Sequence, residues 1–384
     1  MDNLRLVLLF TLAAILLLLY QAWVQDYGPI GGQPQVAQPK DTPTPGVADV
    51  SGSVPPTPAV PMVDAPAKGG MTPAVSPVPT GDAGMAKSET IRVETDLLSL
   101  EIARRGGAIV SAHLMDYPQS PRDPETKFRL LKPEPPNLFV IESGLRGSET
   151  GPLPADSRGL TFQTAQDSFA LKPQEDTLEV VLAWNDPAGV EIQRRYRFTR
   201  GSYVIDLTQE VINHTNSPLA ARAYTQVLRT ELYDPDASSF IYTYTGGVYY
   251  TPEDKYQKVS FDDMREGRLS LEATDGWVAI IQHYFLAAAL PPAGVPQTFF
   301  TSTREDGKFL IGTYTAPATI AAGTSHAFNE RVFVGPKLQD TLASVAPGLD
   351  LAVDYGLLTI IAQPIYWLLS KIHALVGNWG WSII

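Results

Sequence analysis

The sequence predicts a mainly β protein: a large antiparallel β-sandwich, preceded by an N-terminal transmembrane helix and a Pro-rich linker and followed by short C-terminal helices. Three observations predict it. Short runs of alternating polarity, punctuated by turn residues, recur from residue 89 to about residue 337. Helix-length periodic segments are few among them, which argues against a parallel α/β sheet and for antiparallel strands. Both ends are poor in charge, and only 18% of the 384 residues are charged, against roughly 25% in soluble domains.

Leu6 to Val24 reads LVLLFTLAAILLLLYQAWV, with only Thr11 and Gln21 polar. As a helix it spans about 28 Å, the depth of a bilayer core. A cleaved signal peptide is the alternative. The apolar run, however, exceeds the roughly 7–15 residues of a signal core, and no small-residue cleavage site follows Tyr20. Residues 1–27 therefore read as an uncleaved anchor, with Leu6, Leu9, Leu16 and Leu19 in lipid and Tyr20 and Trp23 at the far boundary, where amphipathic rings settle. Arg5 precedes the helix and the next basic residue is Lys40, so the positive-inside bias holds the N-terminus in the cytoplasm and places the chain after Val24 on the exported side.

Residues 28–88 hold 13 of the 33 prolines, 9 of the 30 glycines and no aromatic residue. Such a stretch gains too little from burial to offset backbone ordering, and it reads as a tether.

Residues 89–337 carry the strands. In Val190–Thr199 one face holds Val190, Ile192, Tyr196 and Phe198 and the other Glu191, Gln193, Arg195, Arg197 and Thr199, which is period two. Val204–Asn213 comes next with Ile205, Leu207 and Val211 on one side, and Gly201-Ser202 between the runs suits a hairpin turn. Further strands are expected at Ile91–Thr95, Leu98–Ala103, Ala108–Leu114, Leu178–Trp184, Gly276–Gln282, Tyr284–Leu290, Gln297–Thr303, Phe309–Thr315 and Ala327–Val334. This stretch has 24 basic and 32 acidic residues, a charge of -8, so it is expected to stand off an anionic membrane surface.

Composition and motif searches exclude several chemistries. A net charge of -12 is opposite in sign to what phosphate neutralisation needs, so no nucleic acid is expected as a partner. With no cysteine there are no disulfides, thiolate nucleophiles or cysteine-ligated metals. His113, His214, His283, His326 and His373 are scattered without metal-ligand spacing, and no phosphate loop, dinucleotide fingerprint or nucleophile elbow is present. Catalytic, metal and cofactor sites are all expected to be none. The acidic pairs Asp262-Asp263 and Glu305-Asp306 match glycosidase chemistry only in residue type, and solvated loop acids are the simpler reading. Asn213-His214-Thr215 fits a glycosylation sequon. Tyr242, Tyr244, Tyr249, Tyr250 and Tyr256 gather around Gly246-Gly247; strand packing is favoured over a sugar-binding face.

After Pro336 the pattern turns helical, and residues 338–378 are expected to hold short helices. Ile365, Leu368, Leu369, Ile372, Leu375 and Val376 follow helical spacing, and Pro364 suits a first turn. Tyr366 and Trp367 flank this stripe, as in a helix lying along a membrane interface. A soluble docking helix fits the pattern equally; position decides for the interface, because Trp379-Gly380-Trp381-Ser382-Ile383-Ile384 begins what reads as a second transmembrane helix over 379–384.

Val353-Asp354-Tyr355-Gly356, Ile361-Ala362-Gln363-Pro364, Ile372-His373, Val376-Gly377-Asn378-Trp379-Gly380 and Ser382-Ile383-Ile384 resemble the approach to the second membrane helix of the bacterial YidC membrane protein insertases. Gly276-Trp277-Val278-Ala279, Gln282, Tyr284-Phe285, Val334-Gly335-Pro336, Val345-Ala346-Pro347 and Leu349-Asp350-Leu351 are similar to that family's periplasmic domain. The resemblance covers essentially the whole chain and is most specific from about residue 274. It implies a bacterial inner-membrane protein with a galactose-mutarotase-like sandwich in the periplasm. It also implies a role in inserting and folding inner-membrane proteins, alone or with the Sec translocon, with the lipid bilayer, nascent membrane proteins and Sec subunits as partners. The family's membrane core, with its groove arginine, would lie beyond Ile384, so no residue here carries the insertion chemistry. A periplasmic carbohydrate-binding or sugar-epimerase-like domain is the alternative, with Tyr249 and Trp277 as candidate platform residues, although Trp277 is most simply a core residue.

Overall fold

The computed structural model describes residues 89–148, 151–231, 244–304, 306–353 and 359–383. Leu6, Leu9, Leu16, Leu19, Tyr20 and Trp23, the whole of the expected anchor and tether, and Tyr242 lie outside the described residues. Among the described residues nineteen strands run between Thr90 and Pro336. They are β1 (Thr90–Glu94), β2 (Leu98–Ala103), β3 (Ile109–Ser120), β4 (Asp123–Leu131), β5 (Phe139–Arg146), β6 (Ser168–Ala170) and β7 (Thr177–Asp186). Then come β8 (Val190–Thr199), β9 (Val204–Asn213), β10 (Leu219–Thr230), β11 (Gly246–Thr251) and β12 (Lys255–Val259). The short helix α1 (Phe261–Glu266) leads to β13 (Ser270–Ala273), β14 (Trp277–Ile281), β15 (Phe285–Leu290), β16 (Gln297–Thr303), β17 (Lys308–Thr315), β18 (Ala318–Ile320) and β19 (Ser325–Pro336).

Two sheets result. An 11-stranded sheet runs β13-β16-β17-β10-β5-β3-β2-β1-β6, with β18 paired to β10 and β4 to β3; an 8-stranded sheet runs β12-β11-β14-β15-β19-β9-β8-β7. Among the described residues only β1 with β6 is parallel. The β8–β9 hairpin turns at Gly201, whose φ of +69° is the left-handed region that glycine enters without a Cβ clash. The inner faces of both sheets meet in one apolar cluster, so the sandwich is the arrangement that buries one face of each sheet against the other. β14 and β15 are buried along their whole lengths, which is why they read as unbroken apolar runs rather than as alternation.

The inner face of the 8-stranded sheet also carries charge. Arg194 shares the inward parity of Val190, Ile192, Tyr196 and Phe198 and is fully buried, as is its cross-strand partner Gln209. The Arg194 guanidinium donates to the Gly106 carbonyl and, at 3.1 Å, to Ser157 Oγ, and it stacks 4.7 Å over the Phe162 ring. Glu330, inward-facing on β19, accepts from Thr225 Oγ1 of the opposite sheet, with Ser143 Oγ 3.0 Å from the same hydroxyl. A polar seam therefore crosses the apolar core.

Burial pushes the Glu330 carboxyl up to about 8, against the pull of the Arg194 guanidinium. A carboxyl with a raised folded pKa holds its proton more tightly when folded. It favours folding below its unfolded pKa, and that contribution is lost as pH rises towards the folded value. For Glu330 the window runs from about 4.5 to about 8. Stability should fall through it by up to roughly 1.4 kcal/mol per pH unit, and Glu330→Gln should flatten the fall. Thermal melts of the detergent-solubilised protein across this range check it, and identical pH profiles for parent and variant would contradict it.

Candidate functional site

The chain leaves the sandwich after β19 and docks its next segment onto it. Helix α2 (Gln339–Val345) buries Leu342, and a 3₁₀ turn at Leu349–Ala352 buries Leu349 and Ala352 in the main core. Trp277 Nε1 donates to the Pro347 carbonyl at 3.1 Å, tying this segment to β14. Gly348 adopts φ +72°, and a Cβ there would come within 2.5 Å of the Tyr250 ring. Only glycine allows both the turn and the close approach.

Helix α3 (Thr359–Val376) then carries every residue of the expected interfacial stripe. Ile365, Leu368, Leu369, Ile372, Leu375 and Val376 fall within about 120° of its circumference at 3.6 residues per turn. Ile365 is 51% exposed, Leu368 53%, Leu375 89% and Val376 47%, so the stripe faces outward instead of into a protein core. Leu369 and Ile372 are half-buried. The side chain of Trp367 lies outside what is described. The helix stops at Gly377, φ +69°, whose N–H donates to the His373 carbonyl at 2.7 Å, a left-handed cap. Asn378 Oδ1 accepts from the Gly380 N–H at 2.8 Å and caps α4 (Trp379–Ile383). Sequence reasoning expected 379–384 to begin a transmembrane helix; the described part is this five-residue helix, in contact with α3. No helix among the described residues is long and apolar enough to cross a membrane.

The other candidate chemistry is absorbed by local structure. Asp263 forms a capping box with Ser260 at the start of α1, and Asp262 pairs with Arg265 at 2.5 Å; a carboxylate holding a helix cap is a structural group. Asp306 is bound by Lys308 at 2.9 Å. Tyr244, Tyr249, Tyr250 and Tyr256 pack against the core, and Tyr250 stacks on Trp277 with ring centroids 6.1 Å apart. Trp277 is fully buried and so offers no platform to a sugar. The sequon is also structural: Asn213 is buried and its Nδ2 donates to the carbonyls of Ser217, Ile320 and Ala321 at 2.8 to 3.1 Å. Burial, with Arg129 nearby, lowers the His113 pKa. No group of three or more His, Asp or Glu among the described residues has metal-holding geometry.

Comparison with known proteins identifies the relatives. A family model for the YidC periplasmic domain matches residues 90–368. Membrane protein insertase YidC of Methylococcus capsulatus is 40% identical over 385 residues, covering all of this chain and 67% of that protein. The Nitrosococcus oceani protein of the same name is 39% identical over 390 residues with the same coverages. The chain thus spans about two thirds of the length of these relatives. A solved galactose mutarotase related enzyme from Lactobacillus acidophilus aligns with 64% of this chain and 97% of its own, at a TM-score of 0.44 and 10% identity, too distant a likeness to carry a functional argument. The match to the insertases runs from the first residue to the last, through the sandwich and the exposed helix alike, and the chain belongs to the YidC family of membrane protein insertases.

Proposed function

We propose that this chain forms the anchoring and periplasmic part of an inner-membrane insertase. Leu6 to Val24 crosses the membrane, the sandwich stands in the periplasm beside the Sec translocon, and α3 lies along the outer interface, aligning a membrane core that residues from 379 lead into. The observation that carries this reading is the outward apolar stripe of α3. An amphipathic helix with such a face gains about 25 cal/mol per Å² when that face leaves water, and the bilayer interface is the apolar medium next to an anchored protein. The charge of -8 on residues 89–337 supports a sandwich held off anionic lipid, leaving α3 as the contact.

Leu368→Asp, made in the full-length protein, should lower insertion of a Sec-independent substrate about tenfold. That corresponds to roughly 1.4 kcal/mol, less than half the Leu-to-Asp difference at a membrane helix centre. Leu368 is 53% exposed, so the fold itself should lose little. Leu369→Asp should act in the same direction. Insertion assays in depleted cells check both, and normal insertion by both variants would remove the support for an interfacial α3.

A further inference from the structure

The outward face of the 11-stranded sheet holds a recess of about 320 Å³ in which Arg146, Arg222 and Arg268 converge around Tyr224, Tyr314 and Gln226. Its floor is built by register. Arg146 at the end of β5 stands directly opposite Arg222 on β10, and Tyr224 stands between Gly144 and Tyr314. A Cβ at Gly144 would come within 2.5 Å of the Tyr224 ring, and one at Gly312 within 2.6 Å of Gln226 Cβ. Glycine at these two positions lets the Tyr224 ring and the Gln226 stem lie flat across the neighbouring strands.

Among the described residues only one of the three guanidinium groups in this recess, that of Arg146, has an acid within ion-pair distance. No carboxylate lines the recess. Asp156, the acid nearest Arg146 at 3.8 Å, is held more tightly by Arg158 at 2.8 Å and by the Tyr224 hydroxyl at 3.0 Å. Glu142 is shared among Arg158, Arg304 and the Gln226 amide. Arg222 and Arg268 form no ion pair among the described residues; Arg222 instead lies 5.0 Å over the Tyr314 ring, and Arg146 lies 5.6 Å over Tyr224. Like charges directly opposite on one face of a sheet destabilise it, and here they sit in a chain of net charge -12. An anion seated between them removes that repulsion.

We propose that this recess binds an organic phosphate with a small hydroxylated body. Guanidinium forks match phosphate oxygens two at a time, and the two charges of a phosphomonoester answer the two guanidinium groups, Arg222 and Arg268, that have no acid. Gln226, Ser270 and Ser302 at the wall supply donors and acceptors for hydroxyls. A volume of about 320 Å³ suits a ligand of glycerol phosphate or sugar phosphate size, at the small end of ligand pockets. The same chemistry is presented by the headgroup of a phosphoglycerol lipid, so the source is a free metabolite or a lipid.

Calorimetric titration of the detergent-solubilised chain with glycerol 3-phosphate, and separately with short-chain phosphatidylglycerol, tests this. Saturable binding of glycerol 3-phosphate that weakens about tenfold in Arg222→Gln and in Arg268→Gln, but not in the exposed control Arg92→Gln, supports the site with a free phosphate as its ligand. The same pattern seen only with the lipid supports the site with a headgroup as its ligand. Arg222→Gln should also keep or raise the melting temperature without ligand, because it removes the cross-strand repulsion, and should lose the upward shift that ligand gives the parent. No saturable binding of either compound, or equal binding by parent and variants, would overturn the proposal.

Discussion

Trp277→Ala should destabilise the protein by about 3–5 kcal/mol, the range for deleting a fully buried large aromatic side chain, and lower its melting temperature by roughly 10 °C for a domain of this size. Trp277 is fully buried, stacked on Tyr250, and its indole N–H holds the Pro347 carbonyl. Its neighbour Gly276 sits at φ +132°, where a Cβ would collide with the Tyr250 carbonyl and the Phe299 ring. The loss therefore falls on the core and also on the segment that leads from the sandwich to α3. Trp277→Phe should restore most of the packing and leave Pro347 O unpaired, a loss of about 1–3 kcal/mol. Melting curves of the two variants, with proteolysis between 337 and 359 as a local readout, check this. A melting temperature for Trp277→Ala equal to the parent's would show that the indole is not a core element.

Arg194→Met should destabilise the protein by about 1–3 kcal/mol for each buried acceptor it leaves unmet. The change strips the donor from the Gly106 carbonyl and the Ser157 hydroxyl, and it deprives Glu330 of the one cation that lowers its pKa. The destabilisation should grow above about pH 8, where Glu330 ionises in the parent beside Arg194 but keeps its proton in the variant. Adding Glu330→Leu to Arg194→Met should recover part of the loss, since a buried seam replaced on both sides leaves fewer unmet polar groups. Urea unfolding of the four proteins of this cycle measures the coupling, and strictly additive effects would contradict it.

The sequence reveals these residues unevenly, for physical reasons. Val190–Thr199 and Val204–Asn213 match β8 and β9 residue for residue, because each has one face in the core and one in water and so alternates cleanly. Leu219–Thr230 carries no such alternation. β10 lies at the centre of the larger sheet and is buried on both faces from Ala223 to Arg229, while Arg222, Gln226 and Arg229 interrupt its apolar pattern. The inner half of β3 matches the strand expected at Ala108–Leu114, whereas its outer half and β4 do not read as strands for the opposite reason: from Asp116 to Thr126 the hairpin is almost wholly exposed and polar, with Pro118 and Pro124 adding to a loop-like pattern.

The candidate site was legible where it depends on local periodicity, as in the helical stripe of α3, and the family was legible through the resemblance of the residues around it. The arginine-lined recess was illegible because it depends on register. Arg146, Arg222 and Arg268 lie far apart in sequence, and the sheet order β13-β16-β17-β10-β5 brings them to one recess. Arg194 and Glu330 stand at inward positions of alternating strands, where parity alone marks them as buried against their residue type.

The proposed role depends above all on α3 lying in the membrane interface with its apolar stripe toward lipid. These 384 residues hold no cysteine, so single cysteines along this helix report without background from the rest of them, and any cysteine elsewhere in the full-length protein is first replaced by serine. Spin labels at Leu368→Cys, Ile372→Cys, Leu375→Cys, Lys371→Cys and Ala374→Cys, in the full-length protein in proteoliposomes, should be measured for accessibility to oxygen and to a water-soluble nickel complex. An interfacial α3 predicts a period of about 3.6 residues, with oxygen favoured at Leu368, Ile372 and Leu375 and nickel at Lys371 and Ala374. Nickel accessibility at all five positions, with no periodicity, would contradict it.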